Sequence, residues 1–265
     1  MDWSKMLSKQ VTDMPRSGIR EFFDLATGSK DIISLGVGEP DFVTPWNIRE
    51  AAIRSLERGH TTYTSNYGLE SLRRAISTYV ADFFHVEYDP LCEILPTVGV
   101  SEAIDLALRC LLNPGDEVLY HEPCYVSYAP TVMMAYGIPK AVETSIDDLF
   151  ALNPAKLEAA ITPRTKVLML NFPTNPTGSI APRKTLEEIA AICVKYDLFV
   201  LTDEIYSELR YDEEEHTSIA ALPGMKERTL LLHGFSKAFA MTGKRKLGCY
   251  TFSFLQRNVK VDEGA

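Results

Sequence analysis

The sequence predicts an α/β fold in which helices cover both faces of a mostly parallel sheet. Short apolar runs, such as VLML at residues 167–170, alternate with longer stretches of helical periodicity. Turn-forming combinations of glycine, proline and asparagine separate the two kinds of segment. Short apolar strands between helices are typical of a sheet that is buried on both sides.

The first predicted elements are two helices. Thr44 and Pro45 begin one of them, with a capping side chain and a proline at the first helical position, and Gly59 ends it. One face of the next helix is marked by apolar residues three or four positions apart, namely Leu69, Leu72, Ile76, Tyr79 and Phe83.

From residue 93 onwards, strands and helices alternate. Ser101 is predicted to cap one helix, and Pro182 begins a later one. Predicted strands occupy 93–96, 117–120, 138–143, 167–170, 198–202 and 229–232, and predicted helices occupy 101–112, 124–136, 154–161 and 182–196. Ligands of such sheets bind beyond the C-terminal ends of the strands.

Composition excludes several classes of protein. The 265 residues are 46% hydrophobic and 24% charged, which suits one large α/β domain or two smaller ones. A formal net charge of −9 gives no general attraction to nucleic acid or to anionic membranes. No apolar run is long enough to cross a bilayer, the N-terminus has no secretory signal, and the five cysteines form no C-x-x-C pair. We therefore expect a cytoplasmic protein with reduced thiols and with no membrane or nucleic-acid partner.

Polar and aromatic residues follow the predicted strands. Because the C-terminal ends of parallel strands meet at one edge of a sheet, these residues are expected to converge there. An acidic run at residues 212–215 beside His216 fits a solvated loop instead, so no metal site is predicted. The residues that follow the strands are Gly99, Val100, Ser101, Tyr125, Asn171, Asn175, Asp203, Tyr206, Ser236 and Lys237.

Several motifs occur in a distinctive order. Asn-Pro-Thr-Gly at 175–178 precedes Asp-Glu-Ile-Tyr at 203–206 and Gly-Phe-Ser-Lys-Ala-Phe-Ala-Met-Thr-Gly at 234–243. With LGVGEPDFVTP at 35–45 and YTSNYGLESL at 63–72, they resemble the class I/II, fold-type-I aminotransferases, which depend on pyridoxal 5′-phosphate. The resemblance covers most of the chain and implies the large cofactor-binding domain of that family.

The resemblance implies a role for each residue beyond a strand. Lys237 would join the cofactor as a Schiff base and later act as the general base at the substrate Cα. Asp203 would keep the pyridine nitrogen protonated, since an opposite charge favours the charged form. Tyr206 and Asn175 would bind the phenolic oxygen, and Tyr125 would stack on the ring. Taken singly, Asp203 and Asn175 also fit turns, and Tyr125 also fits a core tyrosine.

The cofactor phosphate is expected at the start of the helix that follows the first strand. Gly99, Val100 and Ser101 would present backbone N–H groups there, where the helix dipole favours an anion. A simple helix cap is the alternative for these three residues.

The resemblance adds residues from other parts of the chain. Ser236 and Arg245 would also bind the phosphate, and Tyr63 would reach the phosphate of a partner subunit, which implies a homodimer. Gly38 and Asn175 are the expected substrate-binding residues, with the backbone at Gly38 near the substrate carboxylate.

The pattern departs from the family near the C-terminus. Lys244 stands where relatives usually have tryptophan, and one extra residue separates Arg245 from Leu247. The last strand of the sheet, a long connecting helix and the small C-terminal domain are expected to be missing, and no residue matches the arginine that binds the substrate carboxylate. The implied division is an N-terminal segment at 1–44, an incomplete large domain at 45–250 and an aberrant tail at 251–265.

The implied function is transfer of an amino group from an L-amino acid to a 2-oxo acid, through a Schiff base with Lys237 and with ping-pong kinetics. The N-terminal motifs suggest aspartate, alanine or aromatic amino acids as donors. Three alternatives remain open. They are a catalytically silent fragment that at most binds the cofactor, a β-lyase on the same scaffold, and a transcription regulator, which would need a basic helix-turn-helix segment.

Overall fold

A computed structural model describes residues 5–14, 38–211, 215–243 and 251–253. Within these residues the strands are β1 (Leu95–Thr97), β2 (Glu117–Glu122), β3 (Ile138–Glu143), β4 (Thr165–Asn171), β5 (Phe199–Asp203), β6 (Thr229–Leu232) and β7 (Thr251–Ser253). They form one sheet in the order β1-β7-β6-β5-β4-β2-β3. Strands β2 to β6 run parallel, whereas β7 is antiparallel to both of its neighbours. The predicted mostly parallel sheet is confirmed.

Helices precede the first strand or lie between later strands. They are α1 (Lys9–Thr12), α2 (Trp46–Glu57), α3 (Glu70–Phe84), α4 (Gly99–Leu111), α5 (Tyr128–Met134), α6 (Pro154–Ala159), α7 (Arg183–Lys195) and α8 (Phe235–Ala238). Short 3-10 turns occur at Ile146–Asp148, Ile219–Ala221 and Lys226–Arg228. In the described part of the chain, none of these helices has the length and apolar character that crossing a membrane requires.

Two hydrophobic layers form on opposite faces of the sheet, because successive side chains of a strand point in opposite directions. Val118 and Tyr120 of β2 belong to a buried cluster with residues of α4 and α5. Leu119, which lies between them, belongs to a second cluster with residues of α6 and α7. The same alternation continues through β4 and β5. Helices therefore cover both faces, as the apolar runs predict.

The start of α4 differs from the sequence prediction. Ser101 is not its cap, because the helix already begins at Gly99 and Val98 is the residue before it. Gly99 has a φ of 84°, which glycine adopts without the strain that a side chain would cause. The glycine, and not the serine two residues later, therefore marks the turn from strand to helix.

The starts of α2 and α3 also shift. Pro45 is the residue that precedes α2, and the hydroxyl of Thr44 donates a hydrogen bond to the carbonyl of Ala240, 2.6 Å away, instead of capping the helix. Leu69 precedes α3 and is exposed, so it does not belong to the buried face, which includes Val80. The types of these elements are predicted correctly, whereas their first residues depend on contacts that are distant in sequence.

The prediction that the last strand of the sheet is missing is wrong. Thr251–Ser253 forms β7 between β1 and β6, with Leu95 opposite Ser253 and Thr97 opposite Thr251. Strand pairing uses backbone groups, so a segment without a recognisable side-chain pattern can complete a sheet.

Candidate active site

A cavity of about 600 Å³ lies beyond the C-terminal ends of the parallel strands. Its position follows the rule for open α/β sheets, in which loops at this edge bind the ligand. The structure brings together most of the predicted site residues on its walls, namely Gly38, Val100, Ser101, Tyr125, Asn175, Asp203, Tyr206, Ser236 and Lys237.

Two predicted residues in the described part of the chain are not on these walls. Gly99 is buried at the start of α4, behind Val100. The side chain of Tyr63 is fully exposed and lies outside the cavity. Arg245 lies outside the described residues, so its predicted contact with phosphate stays a prediction.

Asp203 is the last residue of β5, and its carboxylate is buried beside the cavity. Oδ2 accepts a hydrogen bond from the hydroxyl of Tyr128 at 2.8 Å, and Oδ1 accepts one from the backbone N–H of Ile205 at 3.3 Å. Burial raises the pKa of this carboxyl to about 6, because charge is costly to desolvate, and nearby Glu204 adds to the effect. A cation placed in the cavity would favour the ionised carboxylate and so offset the cost of its desolvation.

Tyr206 and Asn175 lie side by side. The amide Nδ2 of Asn175 donates to the hydroxyl of Tyr206 at 3.4 Å. Burial raises the pKa of Tyr206, and the Asp203 carboxylate adds to the rise, so the phenol is protonated at neutral pH. The pair therefore presents hydrogen-bond donors to the cavity, as an anionic oxygen of a ligand would require.

Asn171, the last residue of β4, links Asp203 to Asn175. Its Nδ2 donates to the main-chain carbonyl of Asp203 at 2.7 Å, and its Oδ1 accepts from the backbone N–H of Asn175 at 2.8 Å. Its own backbone N–H donates to Nε2 of buried His121 at 3.3 Å. One side chain thus fixes the end of β5 and the Asn-Pro-Thr-Gly turn relative to each other.

Lys237 lies in α8, directly after β6. Its ammonium group donates to the carbonyl oxygen of Gly38 and lies 5.7 Å from the centre of the Tyr206 ring. Thr242, a few residues later, donates a hydrogen bond to Glu39. The loop after residue 37 therefore lies over the lysine, consistent with the predicted position of Gly38 at the substrate side of the site.

The first turn of α4 forms another wall of the cavity. The side chain of Val98, which precedes the helix, makes no capping hydrogen bond. Glu102 accepts from the backbone N–H of Val98 and is exposed. Ser236 of α8 is buried and also lines the cavity. Backbone N–H groups at a helix start, together with a serine hydroxyl, are suited to binding an anion.

The sequence did not indicate a role for Tyr128, which borders the cavity and contacts Asp203. Tyr128 stands at the start of a helix among apolar residues, which is also the pattern of a tyrosine that only packs in the core. The only available signal was its spacing of three residues from Tyr125, which puts both rings on one side of a turn. The contact with Asp203 joins residues 75 positions apart, so no local pattern could predict it.

Comparisons with known proteins find similar chains among the aminotransferases. The family model "Aminotransferase class I and II" matches residues 30–252. The aspartate aminotransferase of Pyrococcus abyssi is 48% identical over 229 residues, which are 86% of this chain and 59% of that protein. The aromatic-amino-acid aminotransferase 2 of Thermococcus litoralis is 44% identical over 239 residues, which are 90% of this chain and 61% of that protein.

A solved structure gives the same result for the fold. The Thermus thermophilus aspartate aminotransferase with maleate superposes with a TM-score of 0.87 and 36% identity, over 94% of this chain and 64% of that chain. The chain thus spans less than two thirds of the length of each of these relatives. The family match nevertheless covers most of the residues of this chain. The chain therefore belongs to the class I and II aminotransferase family.

Proposed function

We propose that the protein uses pyridoxal 5′-phosphate to transfer an amino group from an L-amino acid to a 2-oxo acid, with Lys237 bonded to the cofactor. The observation that carries this proposal is the convergence of Lys237, buried Asp203 and the Tyr206–Asn175 pair on one cavity. Family membership supports it, since the matching relatives are named as aminotransferases.

The described residues fit this cofactor. The cavity volume of about 600 Å³ lies within the usual range for small-molecule sites. Asp203 is a buried carboxylate, and among the described residues its hydrogen-bond donors are neutral, so a protonated ring nitrogen would suit it. The start of α4 and Ser236 suit a phosphate, and the half-buried Tyr125 has a ring that can lie against the cofactor.

When bound, pyridoxal 5′-phosphate supplies an electron sink for the charge that develops as the bond between Cα and hydrogen breaks. Once the amino group of the donor has displaced it from the cofactor, the freed Lys237 amine would accept that proton and return one to the neighbouring carbon. The Asp203 carboxylate would hold the positive charge at the ring nitrogen. Tyr206 and Asn175 would donate hydrogen bonds to the cofactor oxygen beside the reacting carbon, and Gly38 and Asn175 would face the substrate.

The proposed donors are aspartate, alanine and aromatic amino acids. Support comes from relatives named as aspartate and aromatic-amino-acid aminotransferases, and from the solved structure with maleate, a dicarboxylate. These donors differ in the size and charge of their side chains, so selection among them depends on contacts with the substrate side chain and not on the cofactor residues described above.

The proposed partner is a second copy of the chain. Tyr63 is fully exposed, and α2 buries none of its residues, although Trp46 and Leu56 on it are apolar. An apolar surface of this kind fits a subunit interface. Light scattering should give twice the chain mass of 29.7 kDa, and a monomer at micromolar concentration would contradict the proposal.

We also propose the cytoplasm as the location. In the described part of the chain, Cys110, Cys124 and Cys193 are free thiols. Free thiols are typical of reducing compartments.

Product analysis tests the proposed reaction. Purified protein is incubated with pyridoxal 5′-phosphate, one amino donor and 2-oxoglutarate. We expect the 2-oxo acid of the donor and glutamate to form in equal amounts, and neither to form with Lys237→Ala. Equal product from both proteins would contradict the proposal, and so would ammonia release without glutamate, which a β-lyase would give.

A further inference from the structure

Tyr128 is in contact with two of the proposed cofactor residues. It is the first residue of α5 and is almost completely buried. Its hydroxyl lies 2.8 Å from Oδ2 of Asp203. The edge of its ring meets the ring of Tyr125, with a centroid distance of 5.7 Å and an interplanar angle of 86°. A single rigid side chain thus connects the proposed charge partner of the cofactor with the ring proposed to stack on it.

Tyr128 donates the hydrogen bond when the Asp203 carboxylate is ionised. Burial and the neighbouring carboxylate raise the pKa of Tyr128 well above its usual value, so the phenol keeps its proton and its hydroxyl is the donor to the ionised carboxylate. Oδ2 accepts from this hydroxyl, and Oδ1 accepts from the N–H of Ile205. With one donor on each oxygen, the plane of the carboxylate is fixed, and rotation about χ2 would break both bonds.

Other ionisable groups also surround Asp203. Glu204 follows it in the chain, and Tyr206 lies in the next turn. Cys124 lies near Tyr128, and Lys237 lies on another wall of the same cavity. Among these groups, Tyr128 is the one whose side chain donates a hydrogen bond to the carboxylate in the described structure.

The ring contact acts on a different part of the site. An edge-to-face pair holds the partner ring in one orientation, and Tyr128 cannot shift because it is packed within the core beneath α4. Tyr125 is only half-buried, so its own packing constrains it less. Tyr128 therefore supplies the rigid support for a ring that borders the cavity.

We propose that Tyr128 is a positioning residue that fixes both the Asp203 carboxylate and the Tyr125 ring for cofactor binding. The proposal rests on the proposed function, because it assumes that these two residues bind the cofactor. A tyrosine that only fills the core would make the same contacts with no effect on the charge of Asp203 or on cofactor affinity.

The first test uses the cofactor-free protein. Tyr128→Phe keeps the ring pair and removes the hydroxyl, and Tyr120→Phe removes another buried hydroxyl that donates to Glu122 outside the site. Carbon-13 NMR of aspartate-labelled protein follows the Asp203 carboxyl, assigned through Asp203→Asn. We expect a higher pKa for Asp203 in Tyr128→Phe and an unchanged one in Tyr120→Phe. An unchanged pKa in Tyr128→Phe would overturn the proposal.

A second measurement needs no Tyr128 variant, in case that protein does not fold. The Cζ resonance of Tyr128 in the parent protein should shift with the same midpoint as the Asp203 carboxyl, because their hydrogen bond senses the ionisation. Asp203→Asn should abolish that shift. A Cζ resonance that is insensitive to pH around the Asp203 midpoint would also overturn the proposal.

The last test is cofactor affinity. We expect Tyr128→Phe to raise the dissociation constant of pyridoxal 5′-phosphate about tenfold, as for a hydrogen bond to a charged group. In the Asp203→Asn background the same change should have little further effect. Equal effects in both backgrounds would contradict the proposal. Failure of the proposed function is distinguishable, because it would appear as cofactor capture that does not need Lys237 and would leave the NMR result intact.

Discussion

Burial of the Asp203 carboxylate makes its own contribution to the stability of the cofactor-free protein fall as the pH rises from acid to neutral. Its folded pKa is about 6, against an ordinary value of 3.8 for aspartate, so between these values the folded state keeps this proton while the unfolded state has lost it. Stability from this group is therefore present below about pH 4 and is lost as the pH rises through about 6. The loss is on the order of 3 kcal/mol.

Asp203→Asn removes this titration and leaves a neutral side chain of the same shape. We expect the variant, without cofactor, to gain stability over the parent as the pH rises from 4 to 6, after which the difference stays constant. Urea unfolding at several pH values measures it. A difference that does not change with pH would mean that Asp203 is ionised in the folded protein throughout, and would contradict the raised pKa.

Side chains at the ends of strands, Asn171 among them, could be identified from the sequence, whereas the contacts that support the site could not. Lys237, Asp203 and Asn175 belong to short motifs, and the strand-end rule predicts that they converge. Tyr128 and Asn171 act through contacts with residues 75 and 32 positions away. Such contacts depend on the packing of α5 and on strand register, which no short pattern encodes.

At the scale of elements, the link between β1 and α4 determines one wall of the cavity. Gly99 has a φ of 84°, so Gly99→Ala would strain the backbone at the start of α4. We expect a loss of about 1 kcal/mol of stability and weaker binding of the cofactor phosphate, since the first N–H groups of the helix would move. Thermal unfolding and a cofactor titration measure the two effects.

Gly59→Ala is the matched control for this prediction. Gly59 also has a positive φ, of 75°, and no atom lies within 4 Å of an added Cβ, but it follows α2 outside the cavity. It should lose similar stability and keep its cofactor affinity. A Gly99→Ala protein that bound the cofactor as tightly as Gly59→Ala would show that the start of α4 does not hold the phosphate.

Central elements of the sheet were predicted more accurately than its irregular parts. The apolar run of β6 was placed at its observed bounds, because its four residues are all buried. The helix predicted over 124–136 is shorter, since the chain turns at residues 124–127 to bring Tyr125 to the cavity. Strand β7 was not predicted, because its three residues are specified by pairing with β1 and β6 and not by periodicity.

For the whole molecule, two buried histidines make stability depend on pH. Burial lowers the pKa of His121 and of His233 to about 4, from an ordinary value of 6.5. Between these values the unfolded chain binds protons that the folded protein does not. Stability from each histidine is therefore complete above pH 6.5 and is lost as the pH falls towards 4, by an amount on the order of 3 kcal/mol.

The contribution of the histidines must be measured with variants, because ionisation of Asp203 changes stability in the opposite direction over part of the same pH range. We expect His121→Gln and His233→Gln each to flatten the decline in unfolding free energy between pH 6.5 and 4.5. His60→Gln, at an exposed position, is the control and should keep the parent slope. Parallel slopes for the parent and the buried-site variants would mean that these histidines are protonated in the folded state.

The central claim is that Lys237 bonds to the cofactor, and its most direct test is reductive capture. The protein is mixed with pyridoxal 5′-phosphate, reduced with borohydride, digested and analysed by mass spectrometry. We expect a visible absorption band before reduction and one modified peptide that carries Lys237, with no site-specific label in Lys237→Ala. Label spread over surface lysines such as Lys195 and Lys156, and unchanged by the Lys237→Ala substitution, would contradict the account.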